Sequence, residues 1–158
     1  MTRRLLPILV LLAIAAGAAA GSQRAEPRHA PSNEMPRGTI EIGLQRVKVE
    51  VADTPARKSQ GLSGRAVLPD GHGMWFPYPG PSLHSFWMKD MEVDLDFVWV
   101  RQGAIVELHE RVRAEGGSGT MIRPSEAADA VLEVPAGTIA RWGWKVGDTV
   151  HVVQDGRW

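Results

Sequence analysis

The sequence predicts a mostly β fold, a sandwich or barrel of short strands with one or two short helices, built as one domain behind an export leader. Three observations lead there. From Ile40 onward apolar residues recur at a period of two with polar residues between them, as in strands with one wet face. A Gln102-Gly103 pair separates two such runs, and the glycine can take the positive φ that a tight hairpin turn demands. The 121 residues from Gly38 to Trp158 are enough for one hydrophobic core and short for two.

Taken in order, the chain opens with Arg3 and Arg4 ahead of an apolar run from Leu5 to Ala20. The run ends in the small residues Ala18-Ala19-Ala20, which is the order of n-region, h-region and cleavage zone in a signal peptide over residues 1–20. With Pro7 inside it, the run falls short of the roughly 20 residues that cross a bilayer core comfortably, so cleavage near Ala20 is expected, with no stable membrane anchor afterwards. The absence of cysteine excludes a lipid-modified N-terminal cysteine. The expected destination is periplasmic or secreted. The paired arginines suit an ordinary leader and a twin-arginine route alike. Residues 21–37 carry Pro27, Pro31 and Pro36 among polar residues with little to bury, and read as a disordered linker.

The domain, residues 38–158, then alternates. Ile40 and Ile42 flank Glu41, and Val47, Val49 and Val51 flank Lys48 and Glu50. Leu95 to Arg101 and Ala104 to Glu110 form the clearest hairpin, and shorter strands are expected at Met74 to Phe76, Ser85 to Met88, Val131 to Val134 and Thr149 to Val153. Thr54 can cap a short helix with Pro55 in its first position and Gly61 ending it, and a second is expected from Thr138 to about Trp142. Two loops stand out: a stiff one around Pro77, Pro79 and Pro81, and a mobile one at Gly116-Gly117-Ser118-Gly119.

The charge narrows the partners. The full chain balances 18 basic against 18 acidic residues, and loss of Arg3 and Arg4 leaves a mature net charge of −2. Such a chain lacks the cationic face that drives counterion release from nucleic acid, so no nucleic-acid partner is expected. Without cysteine there is no disulfide, and stability has to come from the core.

Gly61-Leu62-Ser63-Gly64-Arg65, Gly73-Met74-Trp75-Phe76, Phe86-Trp87-Met88-Lys89-Asp90 and Leu95-Asp96-Phe97 resemble, in that order, the successive blocks of the domain of unknown function 192 family. Leu132 to Gly137 and the Gly147-Asp148 pair fit it too, so that the resemblance spans about Val47 to Val153. It implies a compact β-sandwich, jelly-roll-like, often exported, whose biochemical role is unsettled. The family pattern reads Phe-Trp-Met-Lys-Asn-Thr followed by Pro-Leu-Asp. This chain has Asp90 for the asparagine, Met91 for the threonine and Asp94 for the proline. An aspartate keeps the amide's acceptor and loses its donor.

Five residues of these blocks, Arg65, Trp87, Lys89, Asp90 and Asp96, are expected to converge on one concave, partly exposed ligand-binding patch at the end of the sheet. Trp87, Lys89 and Asp90 bring an aromatic face, a cation and an anion within four residues. The alternative is structural, with Phe86 and Met88 in the core and Lys89 paired at the surface. Arg65 can fork onto a ligand carboxylate or phosphate, or staple its loop to Asp90 or Asp96. Asp90, Glu92, Asp94 and Asp96 supply hard oxygens, but their spacing is not that of a calcium loop, and the histidines are scattered, so no metal and no cofactor is expected. Ser63 misses the nucleophile elbow by its last glycine, and His84 is the nearest histidine for a partnership with Asp90 or Asp96. The 6 tryptophans exceed what packing requires, so some should be exposed, where they suit sugar rings or peptide segments.

The leading expectation is therefore an exported, non-enzymatic β domain that binds a small molecule, glycan or protein partner around Trp87, Lys89 and Asp90. The alternative is a hydrolase-like enzyme using Asp90 or Asp96 as general acid or base. A carboxylate with a shifted pKa in a pocket would favour the enzyme, and a shallow aromatic groove with ordinary carboxylates the binder.

Overall fold

The computed structural model describes residues 34–114 and 119–154, without the side chain of Gln154. The leader, most of the linker, Gly116 to Ser118 of the glycine-rich loop and Trp158 lie outside the described residues.

The fold is mostly β. In chain order it comprises β1 (Arg37–Ile42), β2 (Gln45–Val51), α1 (Pro55–Gln60), β3 (His72–Ser82), β4 (Phe86–Trp87), β5 (Leu95–Arg101), β6 (Ala104–Val112), β7 (Met121–Ile122), β8 (Ala128–Pro135), α2 (Thr138–Trp142) and β9 (Val150–Gln154). Seven strands make one sheet in the order β6-β5-β8-β3-β2-β1-β9, and β4 pairs β7 in a separate two-stranded ribbon. Within the sheet β2 and β3 run parallel and the other neighbours antiparallel. The sheet curls until its edges meet: Ala104 bridges Thr149. The Ile105 N–H donates to the Asp148 carbonyl at 2.9 Å and the Val150 N–H to the Gly103 carbonyl at 2.8 Å.

Alternation makes both faces of this sheet apolar. One face gathers Ile40, Val47, Val49, Val98, Val100, Leu132 and Val134 with Ile105 and Val150 from the two edge strands, which makes it the inside of the curl. The other face carries Met74, Phe76, Phe97, Trp99 and Val131, closed over by Leu62, Met88, Met91 and Ile122. The small ribbon is thus a second layer, with Ile122 buried and Phe86 half-buried beneath it while Trp87 and Met121 point out. Each large side chain so buried contributes about 1.5–3 kcal/mol, which is how a chain without disulfides holds together.

Local chemistry sets the turns. The Thr54 hydroxyl accepts from the Arg57 N–H at 3.3 Å, Pro55 fills the first helical position, and Gly61 ends α1 at φ 51 with its N–H on the Arg57 carbonyl. The hairpin between β5 and β6 turns on Gln102 at φ 52 and Gly103 at φ 74, the two left-handed residues of a type I′ turn.

Two boundaries differ from expectation. The proline cluster is not a loop: β3 runs through it to Ser82, with the ladder to β8 broken between Pro77 and Ser82. Pro79 and Pro81 have no N–H to give to a ladder, so the backbone stays extended while the pairing lapses. The end of the expected linker is also anchored, because Arg37 already belongs to β1 and the Pro36 carbonyl accepts from the Val51 N–H at 2.8 Å.

Candidate functional site

The five expected site residues do not form one patch. Trp87 is 58 % exposed, and the Lys89 ammonium lies 6.0 Å from the centre of its ring. Asp90 is exposed at φ 58, and its carbonyl accepts from the Gly64 N–H at 2.9 Å while the Ser63 hydroxyl donates to the Lys89 carbonyl at 3.2 Å. These bonds stitch the Ser63-Gly64 turn to Lys89 and Asp90. Arg65 leaves that neighbourhood: its guanidinium forks onto Glu50 of β2, at 2.9 and 2.5 Å, and not onto Asp90 or Asp96. The fork holds the Glu50 carboxyl below its usual range and pushes Arg65 up. Both side chains line a cavity of about 470 Å³ with Arg37, Lys48 and His72, an exposed basic hollow whose two arginines are already engaged, Arg65 by Glu50 and Arg37 by Glu34.

Asp96 is fully buried and closed to any ligand. Its carboxylate accepts from the N–H groups of Arg111 at 2.7 Å, Gly137 at 3.0 Å and Ile139 at 2.9 Å. It thereby caps the start of α2 and fixes Arg111 at φ 53, a structural role that the pattern of charged residues did not reveal. Asp94 likewise accepts from the Ala114 N–H at 2.7 Å. Two of the carboxylates considered as metal oxygens are thus spent on backbone, and among the described residues no group of three acids, histidines or cysteines could hold a metal ion. His84 partners neither Asp90 nor Asp96 but stacks on Tyr78 at 3.4 Å.

A different constellation appears on the outer face of the sheet. Across β3, β8 and β5 the register sets Met74, Glu133 and Phe97 side by side, with Phe76, Val131 and Trp99 in the next row. Glu133 is the one charged residue type in that field. It is 5 % exposed, and its Oε2 has no hydrogen-bond partner. Burial alone pushes its pKa up to about 8, so the group is a neutral acid at neutral pH.

Above it lies a cavity of about 330 Å³ walled by α1 and the turn after it, β3 and β4. Four rings line it, Phe76, Tyr78, Phe86 and Trp87, together with Lys58 and Glu133. Phe86 is held edge-on against Phe76 at 4.9 Å and Trp99 at 5.5 Å, which fixes the wall. Gly61 is required by its backbone, at φ 51, and not by space, since a Cβ there would make only ordinary contact with the Phe76 ring at 3.7 Å. The Lys58 ammonium donates to the Pro77 carbonyl and sits 3.9 Å above the Tyr78 ring. Burial pulls its pKa down, against the pull of Asp53. Burial, helped by Glu133, pushes Tyr78 up to about 12. Burial lowers His84, its bond to the Ala128 backbone opposes that, and Lys58 lowers it further.

Of the residues chosen from sequence, only Trp87 lines this cavity. Glu133, Lys58 and Tyr78 were missed. The signal for Glu133 is a single acid in the otherwise apolar run Ala130-Val131-Leu132-Glu133-Val134, an expense no strand bears without a use. Of the tryptophans, Trp75, Trp99 and Trp144 are buried, Trp142 packs edge-on against Trp144 at 5.1 Å, and Trp87 is the exposed one among those described.

Solved structures share this fold. A proposed transcription regulator from Sinorhizobium meliloti is similar at 27% identity and a TM-score of 0.70, over 75% of this chain and 95% of its own. A protein of unknown function from Novosphingobium aromaticivorans is similar at 26% identity and a TM-score of 0.69, over 86% of this chain and 99% of its own. No curated protein is significantly similar. The model of the DUF192 family, described as an uncharacterized ACR, matches residues 38–152, the whole of the curled sheet up to its last strand, and the chain belongs to that family.

Proposed function

We propose that this is an exported binding module, periplasmic or secreted, that receives a sugar ring or a small polar molecule in the cavity between α1, β3 and β4. The observation that supports this most is the pairing of an exposed ring with a buried, unpartnered acid in one aromatic-lined hollow, Trp87 at the surface and Glu133 at the base. A flat indole offers stacking area at small entropic cost, and the acid offers both a donor and an acceptor to whatever displaces water from it. Lys89, beside Trp87, adds a cation to the rim, and Asp90 stands exposed next to it. We include no nucleic-acid partner, because 18 basic and 18 acidic residues leave no cationic excess. The regulator description of the Sinorhizobium protein stays with that protein.

One observation favours the enzyme as a second reading: the acid with the raised pKa lies in a pocket, and it is Glu133 rather than Asp90 or Asp96. Against it, the cavity lining holds no second carboxylate, the Ser63 hydroxyl is engaged by the Lys89 carbonyl, and Ser85 accepts from Arg123 at 3.0 Å. Neither of these two hydroxyls bonds a histidine or a carboxylate among the described residues. A thermal-shift screen against mono- and oligosaccharides and small metabolites tests the binding reading. A ligand at 100 times its Kd should stabilise wild type by about 2.7 kcal/mol and leave Trp87→Ala unshifted. Turnover of a bound compound that stops in Glu133→Gln would replace the binder by the enzyme.

A further inference from the structure

Lys58 and Glu133 share one cavity without pairing with each other. No carboxylate among the described residues lies within ion-pair distance of Lys58, whose ammonium makes do with a backbone carbonyl and a ring face. Glu133 has an oxygen with no partner at all. A cation without a carboxylate partner and a carboxyl group with an unpartnered oxygen, lining one hollow, define what can sit against both.

We propose that the ligand of this cavity carries a carboxylate, which accepts from the Lys58 ammonium on one side and from the Glu133 carboxyl group on the other. The inference rests on the binding reading above and names its ligand class.

The charge around the site supports an anion over a cation. From α1 the cavity is faced by Lys58, from β4 and the turn after it by Trp87 with Lys89 beside it, and from β3 by Tyr78 with His84 stacked behind. Asp53, the one carboxylate whose charge acts on Lys58, does not line the cavity and is engaged by Arg57 at 2.7 Å. Burial keeps Glu133 neutral at neutral pH, so it contributes a donor and no negative charge. Phe97 and Met74, its neighbours across the sheet, supply no competing polar group. The hollow is therefore net positive while Glu133 holds its proton. An ammonium ligand would meet Lys58 and would have to ionise Glu133. A carboxylate ligand meets a cation and a donor, and its own charge raises the acid's hold on the proton.

Calorimetry with glucuronate and its neutral amide, glucuronamide, on the full protein separates the possibilities. The two probes share a ring for Trp87 and differ at the acid group alone, where the amide removes the charge and turns one acceptor oxygen into an N–H donor. Glucuronate should bind at least about tenfold more tightly at pH 7, and its affinity should fall about tenfold per pH unit above pH 8 as Glu133 loses its proton. Glu133→Gln, which keeps a donor and cannot titrate, should bind glucuronate within a few-fold of wild type and show no fall between pH 6 and pH 9. Lys58→Met, at a partly exposed position the core does not use, should erase the preference for glucuronate. Equal affinity for the two probes overturns the carboxylate inference and leaves the cavity a binding site. No heat from either at millimolar concentration overturns both the inference and the sugar reading.

Discussion

Strands β5 and β8 lie side by side, and each buries one carboxyl group: Asp96 next to Val134 on the inside of the curl, Glu133 next to Phe97 on the outer face. The two acids are a residue apart in register and have opposite fates. Asp96 is surrounded by three N–H groups that would otherwise be orphans at the start of α2 and at Arg111, so its charge is used up inside the protein. Glu133 has an apolar field around it, an oxygen without a partner, and a hollow above it. A buried acid with its bonds made is architecture. One with its bonds unmade costs folding energy and keeps its chemistry available, which is the mark of a site.

The comparison is sharpest when each acid is removed. Asp96→Ala should destabilise the domain by about 3–5 kcal/mol in urea denaturation, because three buried donors lose their acceptor at once. That is a large part of the stability of a domain this size. A loss under about 1 kcal/mol would show that water replaces the carboxylate and that the contrast is overdrawn.

Glu133→Leu should go the other way. Replacing an unpartnered polar group by an apolar one of similar size should leave stability at pH 7 unchanged or raise it by about 1–3 kcal/mol, while ligand binding is lost. Marked destabilisation would mean that Glu133 supports the fold as Asp96 does.

The pH dependence of stability carries the same contrast. The folded domain holds the Glu133 proton up to about pH 8, whereas the unfolded chain releases it near 4.5, the ordinary value for a glutamate. Between those values the folded state binds the extra proton. Glu133 therefore makes stability fall as pH rises through that window, by up to about 1.4 kcal/mol per unit, and adds no slope above it. His84, held low by burial, acts in the opposite sense as pH falls below its ordinary value of 6.5. The difference between wild type and Glu133→Gln removes that background, and it should slope downward with pH. A flat difference would mean that Glu133 ionises normally in the fold.

The smallest effect belongs to Trp87. At 58 % exposure, Trp87→Ala should change stability by less than about 0.5 kcal/mol and abolish binding of the cavity's ligand, read by thermal shift.

These two acids also mark how far residue patterns reach. The strands, the α1 cap at Thr54 and the Gln102-Gly103 turn follow from local rules, because period-two burial, a capping hydroxyl and a left-handed turn each act within a few residues. The proline-rich end of β3 was not legible in the same way, since extended backbone without ladder bonds looks like a loop to any local rule. The site was legible only at Trp87. Asp96 drew attention by its charge, but its partners at Gly137 and Ile139 are far away in the chain and arrive only with the fold. Glu133 looked like one letter of a conventional strand. Its significance depends on Lys58 from α1 and Tyr78 from β3 meeting over it, a juxtaposition of three separate elements that no spacing encodes.

The most direct test is a titration of the Glu133 side-chain carboxyl by carbon-13 NMR on glutamate-labelled protein, assigned against Glu133→Gln and repeated with saturating glucuronate. An uncommitted acid under a ligand cavity predicts a midpoint near 8 in the free domain, moving higher when the carboxylate ligand is bound. A midpoint near 4.5 that the ligand does not move would contradict the account, for Glu133 would then be an ordinary solvated carboxylate with no claim on the cavity.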